Sequence, residues 1–205
     1  MPSRILLVGG TGVVGSRVAA LLRRHHPDLA LVIASRNKEK SDALAAKLGH
    51  AEGAIVRTGD ADPLATVQGQ IDAVLGLVHD NDDNLLRSAI RRGIPYADIT
   101  RGNAALSRAF VTAALETPRA PVLFASNWMA GVPAIVAVNE VRTFSEVDRI
   151  DLSILFDRND ETGPDSAGSG GGLAQAMTVR EGETWRTVDP MSSRATVTFP
   201  SGRTR

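Results

Sequence analysis

Ile5-Leu6-Leu7-Val8-Gly9-Gly10-Thr11-Gly12-Val13-Val14-Gly15 is the stretch that decides the fold. Four consecutive apolar residues predict a parallel strand buried on both faces, and glycines follow where such a strand must end. Gly10, Gly12 and Gly15 satisfy G-x-G-x-x-G, while Gly9, Gly12 and Gly15 satisfy the related G-x-x-G-x-x-G spacing. Gly10 permits a tight turn, Gly12 lets a pyrophosphate approach the backbone, and Gly15 lets the next helix lie close. A helix beginning near Gly12 carries the amphipathic run Val14, Val18, Leu21 and Leu22. Its free N–H groups and the positive end of its dipole then face the phosphates. A glycine turn that merely closes a corner is the plainer alternative, and the flanking strand and amphipathic run weigh against it. The predicted dinucleotide contacts are Gly9, Gly10, Thr11, Gly12, Val13, Val14 and Gly15.

The composition is that of a soluble globular chain of 205 residues, enough for one good core and part of another. Lys+Arg and Asp+Glu both number 23, so nothing in the charge points to nucleic acid or a membrane surface. No apolar run approaches the roughly 18 residues that a spanning helix needs. The start, Met1-Pro2-Ser3-Arg4, runs straight into the first strand and leaves no room for a signal peptide, so a cytoplasmic location is expected. The chain has no cysteine, which removes disulfides, thiolate nucleophiles and cysteine-ligated zinc. Its only lysines are Lys38, Lys40 and Lys47.

Strands alternate with helical stretches through the first two thirds, which predicts a doubly wound α/β domain with a parallel sheet covered on both faces. After the first helix come a strand at Leu31–Ala34, a helix at Lys38–Leu48 and a short strand at Ala54–Val56. A fourth strand runs from Ile71 to Val78, a helix from Leu85 to Arg92, and a fifth strand from Tyr96 to Ile99. A helix over Ala104–Leu115 and a strand over Pro121–Ala125 complete the pattern, giving a Rossmann-type domain over residues 1–125. Residues 126–205 read as the beginning of an α+β substrate or dimerisation domain. There the expectations are an apolar helix at Ala134–Val141, a strand at Arg149–Phe156 and a glycine-rich loop at Gly163–Gly172. A short helix near Leu173–Val179 and strands near Thr184–Val188 and Ala195–Phe199 follow. These have few partners, so the chain reads as stopping inside its second domain.

The end of the second strand is where such a domain declares its cofactor. An acidic residue there binds the ribose hydroxyls and disfavours a 2′-phosphate. This chain has Ser35, Arg36 and Asn37 instead, with Lys38 and Lys40 behind them. A guanidinium can bond a phosphate bidentately and stack on adenine, so the expected cofactor is NADP, read chiefly by Arg36. Asp60, after the third strand, is placed for the adenine amino group or for a turn. Leu77, Val78 and His79, after the fourth, pass near the ribose and nicotinamide. No Tyr-x-x-x-Lys pair is present, since the single Tyr96 is followed four residues later by Thr100. The four histidines, His25, His26, His50 and His79, have no metal-ligand spacing, and no G-x-S-x-G elbow occurs.

Taken together, Ile5–Gly15, Ala34-Ser35-Arg36 and Gly93-Ile94-Pro95-Tyr96-Ala97-Asp98-Ile99-Thr100 resemble the saccharopine dehydrogenase-like oxidoreductases. Gly131-Val132-Pro133, Gly170-Gly171-Gly172 and Thr184-Trp185-Arg186 resemble that family as well. The resemblance implies an N-terminal NADP-binding Rossmann domain followed by an α+β domain for substrate and dimer contacts. It also implies hydride transfer between NADPH and an imine or related small substrate, and a homodimer formed through the C-terminal region. The segment Ser126–Gly131 departs from the plainer glycine-proline sequence of such proteins, and they usually continue well past Arg205, so this chain is expected to be chiefly the cofactor-binding part and to transfer hydride slowly or not at all by itself.

Imine reduction asks a protein for position and a proton. His79 and Asp98, each at the C-terminal end of a strand, are the catalytic candidates. A helix cap for His79 and a loop anchor for Asp98 are the plainer alternatives. Arg101 is the candidate for a substrate carboxylate, against an exposed salt bridge. Trp128 and Met129 are candidates for the nicotinamide side of the pocket, against a core role. The rival function is a non-catalytic NADP-binding sensor or scaffold, favoured by the absent Tyr-Lys pair.

Overall fold

The structure is a computed structural model that describes residues 3–125, 131–155, 159, 176–190, 192, 196–202 and 204. It divides into two compact units, Met1–Glu140 and Val141–Arg205. The first unit is built on β1 (Arg4–Val8), whose neighbours are β2 (Ala30–Ser35) on one side and β4 (Ala73–Gly76) on the other. With β3 (Ala51–Ile55), β5 (Tyr96–Asp98) and β6 (Val122–Phe124), they form a sheet of order β3-β2-β1-β4-β5-β6. Every pairing in it is parallel. The crossover helices are α1 (Val13–His25), α2 (Lys38–Leu48), α3 (Asn84–Arg92) and α4 (Asn103–Glu116). This is the Rossmann-type doubly wound arrangement.

The two-residue period of a strand explains how one sheet feeds two cores. Leu6 and Val8 of β1, with Val32 and Ala34 of β2, join one cluster that holds Leu85, Leu86, Ala89 and Ile90 of α3 and Ala109 of α4. Leu7, Leu31 and Ile33 point the other way and join Ala19 of α1 and Ala45 of α2. Almost every apolar residue of β1 and β2 is therefore buried, whichever face it takes. That accounts for continuous apolar runs where an open sheet would alternate. Because α1 and α2 serve one face and α3 and α4 the other, the winding reverses between β1 and β4. A crevice opens there at the carboxyl ends of the strands.

The helices of this unit match expectation closely. α2 keeps the expected bounds, capped by Asn37, whose side chain accepts the Lys40 N–H at 2.8 Å, and closed by Gly49. β4, β5 and β6 are shorter than expected, β4 dropping Ile71 and Val78 and β5 Ile99, while β3 begins three residues earlier than expected, at Ala51. Beyond β6 an apolar helix, α5 (Val132–Val141), forms as expected. In the second unit the described residues contain one antiparallel hairpin, β7 (Met177–Glu181) with β8 (Thr184–Val188).

Three expectations fail there. Residues 149–155 form no strand; Arg149 pairs with Asp151 of the same stretch, and alternation without a partner ladder does not make a strand. Met177 to Val179 lie in β7 rather than a helix, because Gly182 supplies a left-handed turn that folds them onto β8. Around Phe199 the described residues form only an isolated bridge, Thr198 to Thr204. The glycine-rich segment 163–172 lies outside the described residues.

The glycine turn divides its labour differently from expectation. Gly9, not Gly10, takes the left-handed conformation, at φ +86°, and a Cβ there would sit 3.0 Å from the Leu77 carbonyl and Val78 Cβ. Gly15 is required by the turn itself, since a Cβ would run into the Gly9 carbonyl oxygen and lie 2.8 Å from Gly10 Cα. A Cβ at Gly12 would meet only the Gly9 oxygen, at 3.2 Å. Gly15→Ala should therefore cost about 1–3 kcal/mol in urea unfolding through overpacking against backbone. Gly12→Ala should cost markedly less. Equal losses would show that the turn accommodates Gly15 Cβ by moving as a unit.

Candidate functional site

The turn after β1 delivers α1 to the crevice with an open N-terminus. Its N-cap is Gly12, which has no side chain to accept an N–H, and the first turn holds no carboxylate. The first N–H groups of a helix have no intrahelical partner, so this end keeps both free donors and the positive end of the dipole. The neighbouring helices are closed in other ways: α2 by Asn37, and α3 by Asp80, whose carboxylate accepts Leu85 N–H at 3.2 Å and Leu86 N–H at 3.0 Å. Residues 9–15 thus fit a pyrophosphate at the point where the sheet reverses its winding.

The β2 end separates the roles of Ser35, Arg36 and Asn37. Ser35 Oγ donates to the Asn37 carbonyl at 2.8 Å and accepts the Asn37 N–H at 3.1 Å, building the turn. Asn37 caps α2. Arg36 is exposed and, among the described residues, has no hydrogen-bond or ion-pair partner. Of the three, Arg36 is the group left to meet a phosphate. Asp60 is exposed, and its N–H closes a turn onto the Arg57 carbonyl at 3.1 Å.

Leu77, Val78 and His79 leave β4 along the other wall of the crevice. Leu77 N–H donates to the Val8 carbonyl at 2.8 Å, which pins this segment to the glycine turn. The Thr100 hydroxyl donates to the Val78 carbonyl at 3.2 Å, and the Thr58 hydroxyl to the His79 carbonyl at 3.0 Å. His79 is half-buried. The carbonyls of Val78 and His79 are thus both held, which fixes the residue's backbone at the sheet edge.

Asp98 and Arg101 belong to a buried ion cluster that the sequence did not announce. Arg101 is 2% exposed, and each of its nitrogens meets a carboxylate of the chain. Nε bonds Asp98 at 2.5 Å, one terminal nitrogen bonds Asp83, and the other reaches Asp80 at 3.4 Å. Its guanidinium also lies 5.5 Å from the centre of the Phe124 ring. The Tyr96 hydroxyl donates to Asp98 at 2.9 Å. Asp83 further accepts from the Thr112 hydroxyl at 2.9 Å and from Arg108 at 3.1 Å. The cluster joins the ends of β4 and β5 to α3 and α4. Asp80 and Asp83 carried no motif, and only their position after β4 in the run His79-Asp80-Asn81-Asp82-Asp83 could have flagged them. Trp128 and Met129 lie outside the described residues.

Burial sets the acid-base character of this cluster. It pushes the Asp80 carboxyl up, against the Leu86 and Leu85 N–H donors, and the group ends above the usual range. Burial opposes ionisation of Asp83 too, but the bonds from Arg101, Thr112 and Arg108 outweigh it and hold that carboxyl low. Burial and then the Asp98 charge push the Tyr96 phenol well up. A carboxyl held low in the folded state adds stability above its unfolded value of about 4, lost as pH falls through the folded value. Asp62, through Arg92, and Glu116, through Arg91, act in the same direction. Asp83→Asn should lower the melting temperature at neutral pH and flatten its fall between about pH 5 and pH 3. An acid limb as steep as that of the parent would remove Asp83 from this account.

Among the described residues no helix is long and apolar enough to cross a membrane, and no group of three or more His, Asp or Glu side chains could hold a metal ion. The family profile "Saccharopine dehydrogenase NADP binding domain" matches residues 5–121, more than half of the chain. No curated protein matches the sequence significantly. Apo saccharopine dehydrogenase (L-Glu forming) from Saccharomyces cerevisiae is similar at 23% identity and TM-score 0.54 over 68% of this chain. The match takes in 30% of that enzyme's length and shows the fold alone. Actinorhodin polyketide ketoreductase with NADPH (14% identity, 71% of this chain and 78% of that one, TM-score 0.44) is too distant to carry an argument. Ribose-5-phosphate isomerase from Brucella melitensis (13% identity, 58% and 65%, TM-score 0.41) is too distant as well. With the glycine turn, the uncapped α1 and a β2 end that carries arginine, the chain belongs to the saccharopine dehydrogenase family and holds its NADP-binding domain.

Proposed function

We propose that the protein is an NADP-dependent oxidoreductase that transfers hydride between NADPH and an imine or related small substrate. The observation that carries this is the open N-terminus of α1 at the reversal of a family sheet, with Arg36 unpaired beside it. In this reading the N–H groups around Thr11–Gly15 hold the pyrophosphate, and Gly12 leaves room for it. Arg36 binds the adenosine 2′-phosphate, Asp60 lies towards the adenine, and Leu77 and Val78 flank the ribose. NADPH, once bound, supplies the hydride. The chain then has to place the imine carbon against it and deliver one proton to the nitrogen, so that the amine leaves neutral.

His79 is the proton donor in this proposal, because Thr58 and the β4 edge fix its backbone where the nicotinamide end lies. Asp98 and Arg101 are assigned a positioning role, since both are buried and bonded to each other. They hold β4, β5 and the His79 segment in register. Substrate residues and a homodimer contact are assigned to the region after β6. Support for the dimer is the exposure of Phe144 and Trp185 in the second unit.

A second reading, a non-catalytic NADP sensor, draws on the same cluster. It ties up Asp98 and Arg101 and leaves the described crevice few groups for chemistry. The two readings separate in stopped-flow measurement of NADPH oxidation with an imine-forming amine and aldehyde pair. The oxidoreductase reading expects slow oxidation, since this chain holds chiefly the cofactor-binding part, and expects it to be lost in His79→Asn with NADPH affinity kept. Tight NADPH binding without oxidation favours the sensor.

The cofactor assignment has its own expected outcome. A charge-assisted contact to phosphate contributes about 1.5–3 kcal/mol, so Arg36→Ala should weaken NADPH roughly ten- to hundred-fold. NADH binding, titrated by fluorescence, should change far less. Equal losses would mean that Arg36 stacks on adenine instead.

A further inference from the structure

All the lysines of the chain lie on one helix, and the structure sorts them. Lys38, Lys40 and Lys47 are the only ones, and α2 carries all three. Lys38 is spent on its own helix, with Nζ at 2.5 and 2.7 Å from the two carboxylate oxygens of Asp42. Lys40 and Lys47 instead line a groove of 240 Å³ between α1 and α2, with Thr11, Ser16, Ala43 and Leu44. No carboxylate lines it. Among the described residues neither ammonium has an ion-pair partner, so the groove is positive and unbalanced.

The groove opens beside the glycine turn, because Thr11 belongs to both. Lys40 is the third residue of α2, and its N–H is held 2.8 Å from Asn37 Oδ1. That capping bond fixes the start of its side chain one turn from Arg36. Lys47 lies two turns further on, about 10 Å along the helix axis. It is too far to share a small anion with Lys40, and at physiological salt its charge is screened over about that distance.

We propose that Lys40 is the second cation at the adenosine 2′-phosphate, approaching it from the groove by Thr11 while Arg36 approaches from the end of β2. The inference rests on the reading that the pyrophosphate lies at the start of α1. An ammonium and a guanidinium on different elements enclose a phosphate dianion from two sides. The preference for NADP over NAD is then shared between β2 and α2, not held by one arginine. Lys47 contributes only to the general field of the helix.

Lysine-directed acetylation, read peptide by peptide by mass spectrometry, tests this on the full chain, because each lysine reports separately. Saturating 2′,5′-ADP should slow modification of Lys40 about five-fold or more and leave Lys38 and Lys47 within about two-fold. The same concentration of 5′-AMP should protect none of the three. In parallel, Lys40→Met should weaken NADPH about ten-fold with NADH within about two-fold, and Lys40→Arg should restore most of the loss. Lys47→Met should change neither cofactor by more than about two-fold. Equal protection of Lys40 by 5′-AMP, or an unaltered cofactor preference in a folded Lys40→Met chain, overturns the role of Lys40. If Arg36→Ala still shifts the preference, the site reading survives that result. A parent chain that binds neither NADPH nor 2′,5′-ADP overturns both.

Discussion

The closeness of three backbone segments at the end of β1 is the constraint on which everything else depends. Gly9 lies against the Leu77 backbone and the Val78 Cβ, and Gly15 lies against Gly9 and Gly10. No side chain fits at either contact, so the chain must reverse in a few residues and launch α1 directly over the strand end. A looser turn would displace the helix start from the crevice between β1 and β4. The same contacts bring the end of β4 alongside, sealed by the Leu77 to Val8 hydrogen bond. Packing thus produces the electrostatics. Two close approaches of backbone leave the uncapped N-terminus of α1 facing a cleft, and a helix end of that kind favours an anion.

A second constraint holds the opposite wall. The strands after β4 are short, three residues each in β5 and β6, and a short strand fixes little by its ladder alone. The cluster of Arg101 with Asp80, Asp83 and Asp98 supplies the missing definition. Taking such charges out of water is costly, and an apolar replacement of similar volume is often as stable. Removing one partner is different, because it strands the others in a dry site. The geometry is also hard to satisfy elsewhere. Asp83 holds a left-handed backbone at φ +58° with its carboxylate locked by Arg101, Arg108 and Thr112. A cluster with such directional demands specifies one arrangement of β4, β5, α3 and α4, and that arrangement places His79.

The first unit was legible because its signals are local. Continuous apolar runs marked β1 and β2, and Asn37 and Gly49 marked the ends of α2 before any partner was known. The buried cluster was not legible in the same way. Arg101 meets residues 3, 18 and 21 positions away, and no periodicity of the sequence links them. Neither of its readings, as a substrate ligand or as an exposed salt bridge, foresaw a side chain buried among three carboxylates. The second unit failed for a related reason. Alternation over 149–156 and apolarity over 173–179 are statements about a segment, while a strand requires a neighbour. Thr184–Val188 was recovered because Gly182 and its partner Met177–Glu181 lie within hairpin distance.

Specificity at the adenosine end follows from which polar groups the fold has already used. Ser35 and Asn37 could each bond a phosphate or a ribose hydroxyl in a free peptide. In the folded chain the hydroxyl of Ser35 shapes the turn and the amide of Asn37 caps α2. Lys38 is likewise taken by Asp42. What remains is a set of cations with no local partner, gathered on a chain whose formal charge sums to zero. Neutrality overall and positivity at one strand end are compatible because charge is spread over the whole chain, and three of its 23 Asp and Glu residues are taken up by Arg101. The buried cluster and the exposed cations are therefore complementary parts of one distribution. Asp80, Asp83 and Asp98 are held inside on Arg101, while Arg36 and Lys40 stay exposed with no ion-pair partner among the described residues.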